Sequence, residues 1–158
     1  MRRLDEIDLH ILEQLQRDSS RTNLELARAV GLSPPACLRR VRRLRERGVI
    51  KGEMAVLDPR LVGPGTTVVV AVDLVSEGSS AIAGFRHRIQ DEPAVAQCLY
   101  VTGKHDFMLM VRVRDIAEYD ALARRLFVED PNVRRYDSLV VLDEVKRDLG
   151  VPVRRQSA

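Results

Sequence analysis

Apolar residues recur at helical spacing over the first fifty residues of the chain and alternate with polar residues further on. Between Leu4 and Arg17 the apolar side chains share one face of a helix, at Leu4, Ile7, Ile11, Leu12 and Leu15. Thr22 and Glu25 have the spacing of a capping box, which predicts a second, short helix over 24–30. The first part of the chain is therefore predicted to be helical.

A third helix is predicted between Ser33 and Gly48, with Ser33 as its N-cap and Pro34 at its first position. Its apolar face is expected to carry Cys37, Leu38, Val41 and Leu44. Six arginines and one acid lie between Ser33 and Arg47, which gives this single helix a net charge of +5. One side of the helix thus belongs to a core and the rest is cationic.

A short helix, a tight turn containing Gly31 and a longer basic helix are typical of the helix-turn-helix, whose second helix enters the DNA major groove. A solvated charged face is the plainer alternative. In the DNA-binding interpretation, base contacts are expected from the N-terminal half of the third helix and phosphate contacts from residues beyond it. The residues so predicted are Ser33, Pro35, Ala36, Arg39, Arg40 and Arg43 at bases, and Arg47 and Lys51 at phosphates.

The second part of the chain alternates strand and helix patterns. Strands are predicted over 66–74, 94–102, 107–113 and 133–142, and helices over 79–90 and from Asp115 onward. This βαββαβ order is that of a ferredoxin-like α+β sandwich, with helices on one face of the sheet only. Dimerisation would cover the other face. Residues 49–57 are β-prone and predict a small wing or a linking strand between the two parts.

Composition and charge agree with two small domains. The chain is 45% hydrophobic and 31% charged, and it has no apolar run long enough for a membrane span, so a cytoplasmic protein is expected. Residues 1–60 carry a net charge of +4 and residues 61–158 one of −1, which confines the polyanion-binding character to the first part. The predicted divisions are a DNA-binding domain over 1–50, a linking strand and hinge over 51–64, a sensing domain over 65–146 and a tail over 147–158.

Little in the sequence suggests catalysis or metal binding. Cys37 and Cys98 form no Cys-x-x-Cys pair and are expected to be buried, reduced thiols. The three histidines are scattered, and no nucleophile lies at a suggestive spacing from a base. We therefore expect no metal, no cofactor and no enzymatic activity.

Short motifs along nearly the whole chain occur in the order and at the spacing of a known family. They are LDEID at 4–8, NLELA at 23–27, VGLSP at 30–34, CLRRVRRL at 37–44, GVI at 48–50, VTGKHDF at 101–107 and VVLDEVK at 140–146. These motifs resemble the leucine-responsive (Lrp/AsnC) regulators. The resemblance implies a regulator that binds double-stranded DNA, forms dimers that assemble further into octamers or similar discs, and commonly senses an amino acid.

The resemblance also implies where an effector would bind. In the family it lies between dimers, against the loop and last strand that correspond here to Thr102, Gly103, Lys104, His105, Asp106 and Ser138. Gly103 would let backbone amides approach a carboxylate, and Asp106 would hold an ammonium group. Lys104 and His105 depart from the family pattern, and a plain hairpin turn is the alternative reading of this loop.

Two other functions remain open at this point. A ligand-free architectural DNA-binding protein would need the same arginine helix. A haem-biosynthesis decarboxylase-like enzyme is the third possibility, because some of those enzymes resemble this family and retain both domains.

Overall fold

The computed structural model describes residues 4–63, 65–76, 78–148 and 150–153. The chain divides into two compact units. One contains the described residues up to Val56 together with those from Lys146 onward, and the other runs from Leu57 to Val145. The C-terminal residues, which we expected as a separate tail, thus group with the first unit. Within the described residues, no helix has the length and apolar character required to cross a bilayer.

The first unit contains three helices, as predicted. These are α1 over Glu6–Arg17, α2 over Asn23–Ala29 and α3 over Pro34–Glu46. The capping box of α2 is confirmed, since Thr22 and Glu25 each accept a backbone hydrogen bond from the other. At α3 the N-cap is Ser33 as predicted, but its side chain makes no capping hydrogen bond. Pro34 has no amide hydrogen, which already removes one of the unsatisfied donors at that end.

The core of this unit lies where the three helices meet. It consists of Ile11, Leu26, Ala27, Val30, Cys37, Val41 and Leu44, all less than a tenth exposed. Our placement of Leu38 in this core was wrong, because its side chain is 44% exposed. Cys37, Val41 and Leu44 fall within about 60° of one another around α3, whereas Leu38 is about 100° from Cys37. The buried face of α3 is thus narrower than the apolar face predicted from the sequence.

The segment after α3 differs from the prediction. Residues 51–58 form no strand, and the only regular element between α3 and residue 65, among the described residues, is the single-turn helix α4 over Pro59–Val62. A strand needs a hydrogen-bonded neighbour, and this segment pairs with no strand among the residues that the structure describes. Its apolar side chains are accordingly exposed, with Met54, Val56 and Leu57 all more than half accessible.

The second unit is the predicted ferredoxin-like sandwich. Its elements are β1 (Thr66–Leu74), α5 (Ser79–Gln90), β2 (Val95–Tyr100), β3 (Phe107–Val113), α6 (Ile116–Ala123) with a π-helical turn over Arg124–Val128, and β4 (Val133–Val140). The sheet order is β2-β3-β1-β4, with every neighbouring pair antiparallel. β2 and β4 are both shorter than predicted, and the other two strands and α5 have the predicted bounds.

The two faces of the sheet differ in what covers them. Side chains such as Val70, Leu109 and Val111 are fully buried beneath Phe85 of α5 and Leu122 of α6. The intervening positions lie on the opposite face, which no helix among the described residues of this unit covers. Register places its apolar side chains next to one another, and we call this group the open face: Val69, Ala71, Leu99, Met108, Met110 and Leu139.

Candidate functional site

The exposed side of α3 carries a row of side chains directed away from the core. Pro35, Arg39, Arg42 and Glu46 lie within about 60° of one another around the helix and are all exposed. We call these four residues the outer stripe. Arg39 and Arg42 form no ion pair with any residue in the described part of the chain. Two cationic side chains are therefore available to a polyanion on the outward face of this helix.

Arg42 was absent from our predicted DNA contacts, and the reason is geometric. The prediction included Leu38 in the apolar face and so placed Arg42, like Arg40, on a flank of the helix. Because the buried face is centred on Cys37, Val41 and Leu44 instead, the outward direction shifts toward Arg42. Of the predicted contacts on α3, Ser33, Pro35 and Arg39 are exposed and Ala36 is half-buried.

Arg40 and Arg43 face α1, where they meet two carboxylates. Arg43 Nη2 donates to both oxygens of Asp8, at 2.9 and 2.8 Å. Arg40 Nη1 donates to Asp8 Oδ1 at 2.8 Å and to the two Asp5 oxygens at 2.9 and 2.7 Å. We call Asp5, Asp8, Arg40 and Arg43 the carboxylate clamp. It joins the first turn of α1 to the middle of α3.

Burial makes the clamp energetically significant. The Asp8 side chain is only 1% exposed, and a buried charge is tolerated only when it is paired and hydrogen-bonded. Removing one partner of such a pair typically costs about 3–5 kcal/mol. Hydrogen bonds to Asp5 and Asp8 raise the pKa of Arg40. Partial burial acts to raise the pKa of Asp5, but hydrogen bonds from Arg40 and from the Asp8 backbone outweigh it and lower that pKa.

The carboxylates of Asp5 and Asp8 also cap the N-terminus of α1. Asp5 is the N-cap, and its Oδ1 accepts a hydrogen bond from the Asp8 amide at 2.8 Å. Sequence reasoning missed Asp8, although a signal was present. An acid three residues after an N-cap and three before the buried Ile11 lies close to the core. One turn further on, its own helix has Ile11 and Leu12 and no cation, so a cation from another element must neutralise it.

Two further hydrogen bonds fix the surroundings of α3. Asn23 Nδ2 donates to the Pro34 carbonyl oxygen at 2.8 Å, which ties the first turn of α2 to that of α3. Arg45 Nη2 donates to Glu53 Oε1 at 2.6 Å and so holds the segment after the helix against it. Lys51 lies exposed in that segment, and Arg47 is half-buried at the C-cap of α3. Both residues predicted to contact phosphates therefore lie at or just beyond the C-terminal end of α3.

The loop between β2 and β3 has a defined internal structure. Gly103 has a φ of +123°, which any other residue would adopt only with strain. Asp106 Oδ2 accepts a hydrogen bond from the Leu74 amide at 2.7 Å, and the Asp106 amide donates to the Val72 carbonyl oxygen at 3.0 Å. The Asp106 carboxylate thus secures the loop to the end of β1, which the sequence did not indicate.

The other predicted effector residues differ in exposure and in the direction of their side chains. Thr102 and Lys104 are exposed, whereas His105 Nδ1 lies 2.8 Å from Oδ1 of the buried Asp73. Ser138 is opposite Val70 on β1, and its hydroxyl is hydrogen-bonded to the Tyr119 hydroxyl on the helical side of the sheet. Burial raises the pKa of that tyrosine. The structure brings together residues 102–106 and directs the Ser138 hydroxyl elsewhere.

The cysteines are both unpaired thiols, and burial raises the pKa of each. A higher pKa favours the protonated thiol over the reactive thiolate. Among the described residues, no group of three or more histidine, cysteine, aspartate or glutamate side chains is placed to hold a metal ion.

Both halves of the chain match known protein families. Residues 67–151 match the Lrp/AsnC ligand binding domain, and residues 4–51 match a winged helix-turn-helix DNA-binding domain. A leucine-responsive regulatory protein from Haemophilus influenzae is 39% identical over 144 residues, which is 91% of this chain and 87% of that protein. An uncharacterized HTH-type transcriptional regulator from Sinorhizobium fredii is 38% identical over 150 residues, 95% of this chain and 89% of that one.

Solved structures give the same result. A transcriptional regulator from Neisseria meningitidis, in complex with L-Met, superposes with a TM-score of 0.88 at 29% identity, covering 95% of this chain and 97% of that one. An AsnC family transcriptional regulator from Agrobacterium tumefaciens has a TM-score of 0.86 at 33% identity, covering 94% and 96%.

Proposed function

The chain belongs to the Lrp/AsnC family of DNA-binding transcriptional regulators, and on this premise we propose that it binds double-stranded DNA with α3 in the major groove. The observation that carries this proposal is the outer stripe, where Arg39 and Arg42 are exposed and have no ion-pair partner among the described residues. Guanidinium groups bind guanine edges and phosphates, and the N-terminal half of a recognition helix lies nearest the bases.

The roles along α3 follow from position. Ser33, Pro35, Ala36 and Arg39 occupy the N-terminal half and are proposed to read bases. Arg42 lies one turn further on and is proposed to contact either the last base or its phosphate. Arg47 and Lys51, at and beyond the end of the helix, are proposed to bind phosphates.

The DNA proposal predicts different effects for Arg39 and Arg47. Arg39→Ala should cost about 1–3 kcal/mol at the best binding sequence and relax specificity there, because a bidentate base contact is lost. Arg47→Ala should weaken all sequences alike and flatten the salt dependence by about 0.9 in slope, because a phosphate contact is lost. Fluorescence anisotropy with a selected duplex and a scrambled duplex, each over a salt series, measures both quantities.

The arginine variants are compared with Arg17→Ala, which removes an exposed cation from the end of α1. That control should leave specificity unchanged. Equal losses for Arg39→Ala and Arg47→Ala on both duplexes would contradict the assignment of base and phosphate contacts.

We further propose that a free amino acid binds at the loop formed by residues 102–106 and modulates DNA binding. The structural relative from Neisseria meningitidis is a complex with L-Met, which supports an amino acid as ligand. The positive φ at position 103 favours glycine, and because Gly103 has no side chain, an effector carboxylate can approach the backbone amides of the turn. Asp106 holds the Leu74 amide through Oδ2, and its Oδ1 is proposed to accept the effector ammonium group.

The structure changes how the proposed role of Asp106 should be tested. Asp106→Ala would leave the Leu74 amide without its acceptor and would weaken the loop itself. Asp106→Asn retains an oxygen for that amide and removes only the charge. We predict that Asp106→Asn lowers amino-acid affinity by about 1.5–3 kcal/mol, the cost of a lost charged hydrogen bond, while DNA binding without ligand is unchanged. Thermal shift across the common amino acids selects the ligand, and calorimetry measures its affinity.

Asp91→Asn is the matched control, since it removes the same charge from a side chain that is 79% exposed at the end of α5. It should leave amino-acid affinity unchanged. An unchanged affinity in Asp106→Asn would place the site elsewhere. A wild-type protein that binds no amino acid, yet binds DNA, would favour the ligand-free architectural alternative.

The open face supports a proposal about assembly. Six apolar side chains lie together on a sheet surface that no helix of the unit covers, and Leu99 and Leu139 are 47% and 60% exposed. We propose that two copies pair through this face and that the dimers assemble further, with an octamer as the expected size. Ser138 is not a contact in this proposal, because its hydroxyl is bound to Tyr119 on the helical side of the sheet, opposite the open face.

Light scattering tests the assembly proposal. The wild type should be at least a dimer at micromolar concentration, and Leu139→Glu should shift it toward the monomer because a charge would be buried in the interface. Val128→Glu is the matched control, since Val128 is 62% exposed and lies after α6, away from the open face. A monomeric wild type, or equal behaviour of the two variants, would contradict the proposal.

We propose a regulatory rather than a catalytic role, with the cytoplasm as the place where the protein meets DNA. The relatives and the matched family models support this role, because they are transcriptional regulators and DNA-binding and ligand-binding domains. The haem-biosynthesis alternative makes a separate prediction, namely tetrapyrrole binding in an absorbance titration.

A further inference from the structure

The carboxylate clamp determines which arginines of α3 are available to DNA. Of the six arginines on this helix and its cap, Arg40 and Arg43 pair with Asp5 and Asp8, and Arg45 pairs with Glu53. Arg39 and Arg42 are exposed and have no ion-pair partner among the described residues. The helix thus carries a high charge in its sequence but presents only part of it on the outer stripe.

We propose that Asp8 is a positioning residue for DNA recognition, which holds Arg40 and Arg43 away from phosphates and sets the rotation of α3 so that Arg39 faces the bases. The inference rests on the proposed DNA-binding function and assigns a role to a residue that cannot itself touch DNA. It also revises the expectation that Arg40 and Arg43 contact bases.

The geometry supports the positioning role. Asp8 is almost fully buried on α1, and three hydrogen bonds from the two arginines reach its oxygens within 2.9 Å. Arg40 and Arg43 are one turn apart on α3, so two anchor points restrain both the rotation and the tilt of the helix. If either arginine moved to a phosphate, a buried carboxylate would lose a partner, which opposes that movement.

The clamp also affects the balance between specific and random binding. Random binding is driven by cations that neutralise phosphates, and each such contact adds about 0.9 to the slope of log affinity against log salt. Keeping two arginines on carboxylates lowers that sequence-independent contribution, while a fixed rotation of α3 preserves the base contact of Arg39. Both effects increase discrimination between the cognate site and random DNA.

The decisive variant is Asp8→Asn, which keeps the size of the side chain and removes its charge. We expect it to steepen the salt slope on random duplex by about 0.9, because Arg43 is released to a phosphate while Arg40 keeps its hydrogen bonds to Asp5. The ratio of specific to random affinity should fall at least about fivefold, the effect of one lost base contact. The probes are a duplex enriched from a random pool by the wild-type protein and a scrambled duplex of the same composition, each titrated between about 50 and 200 mM salt.

Glu13→Gln is the matched control, because it removes one negative charge from α1 at a residue with no ion-pair partner in the described part of the chain. It should preserve the salt slope and the affinity ratio. Arg40→Gln and Arg43→Gln provide a second test that does not require Asp8→Asn to fold. Each should lower the affinity ratio while the slope stays at the wild-type value, since neither arginine is proposed to contact phosphate.

Several results would overturn the proposal. One is a folded Asp8→Asn, judged by circular dichroism, with a wild-type slope and affinity ratio. Another is a slope that falls by about 0.9 in Arg40→Gln or Arg43→Gln, which is the signature of a lost phosphate contact. A wild-type protein that binds no duplex DNA would overturn the proposed function and this inference with it, whereas the first two results would leave the proposed function intact.

Discussion

The buried carboxylate of Asp8 is the interaction on which the helical unit most depends. A negative charge beside a core of seven small and medium apolar residues is stable only because Arg40 and Arg43 neutralise it. Those arginines come from the helix that is proposed to enter DNA. The ion pairs that pack α1 against α3 are therefore also the ones that we propose to set which side of α3 faces DNA. Asp5 strengthens this arrangement by capping α1 and binding Arg40 with the same carboxylate.

In the sandwich unit, too, polar residues of the candidate effector loop make hydrogen bonds that stabilise the fold. Asp106 accepts the Leu74 amide at the end of β1, and His105 lies beside the buried Asp73. The Ser138 hydroxyl is bound to Tyr119 on the helical side of the sheet. A ligand at this loop would therefore bind to a structure that is already ordered, which reduces the entropic cost of binding.

Much of this fold could be predicted from local pattern. The 3.6-residue and two-residue periods located α1 to α3 and the four strands, and the bounds of β1, α5 and β3 agree with the prediction to the residue. The errors concern interactions between distant residues. A strand over 49–57 is absent because it has no neighbouring strand among the described residues, and Leu38 is exposed because the helix contact is narrow. The burial of Asp8 was missed because the arginines that neutralise it lie more than thirty residues away in the sequence. Periodicity cannot show such pairings.

In our proposal, α3 carries two classes of arginine, one for DNA and one for the fold. A crystal structure of the protein bound to its selected duplex would show the two classes separately. We expect Arg39 at a base edge in the major groove, with Arg40 and Arg43 still within hydrogen-bond distance of Asp8. Arg40 or Arg43 on a phosphate, with the Asp8 carboxylate left without that partner, would contradict it.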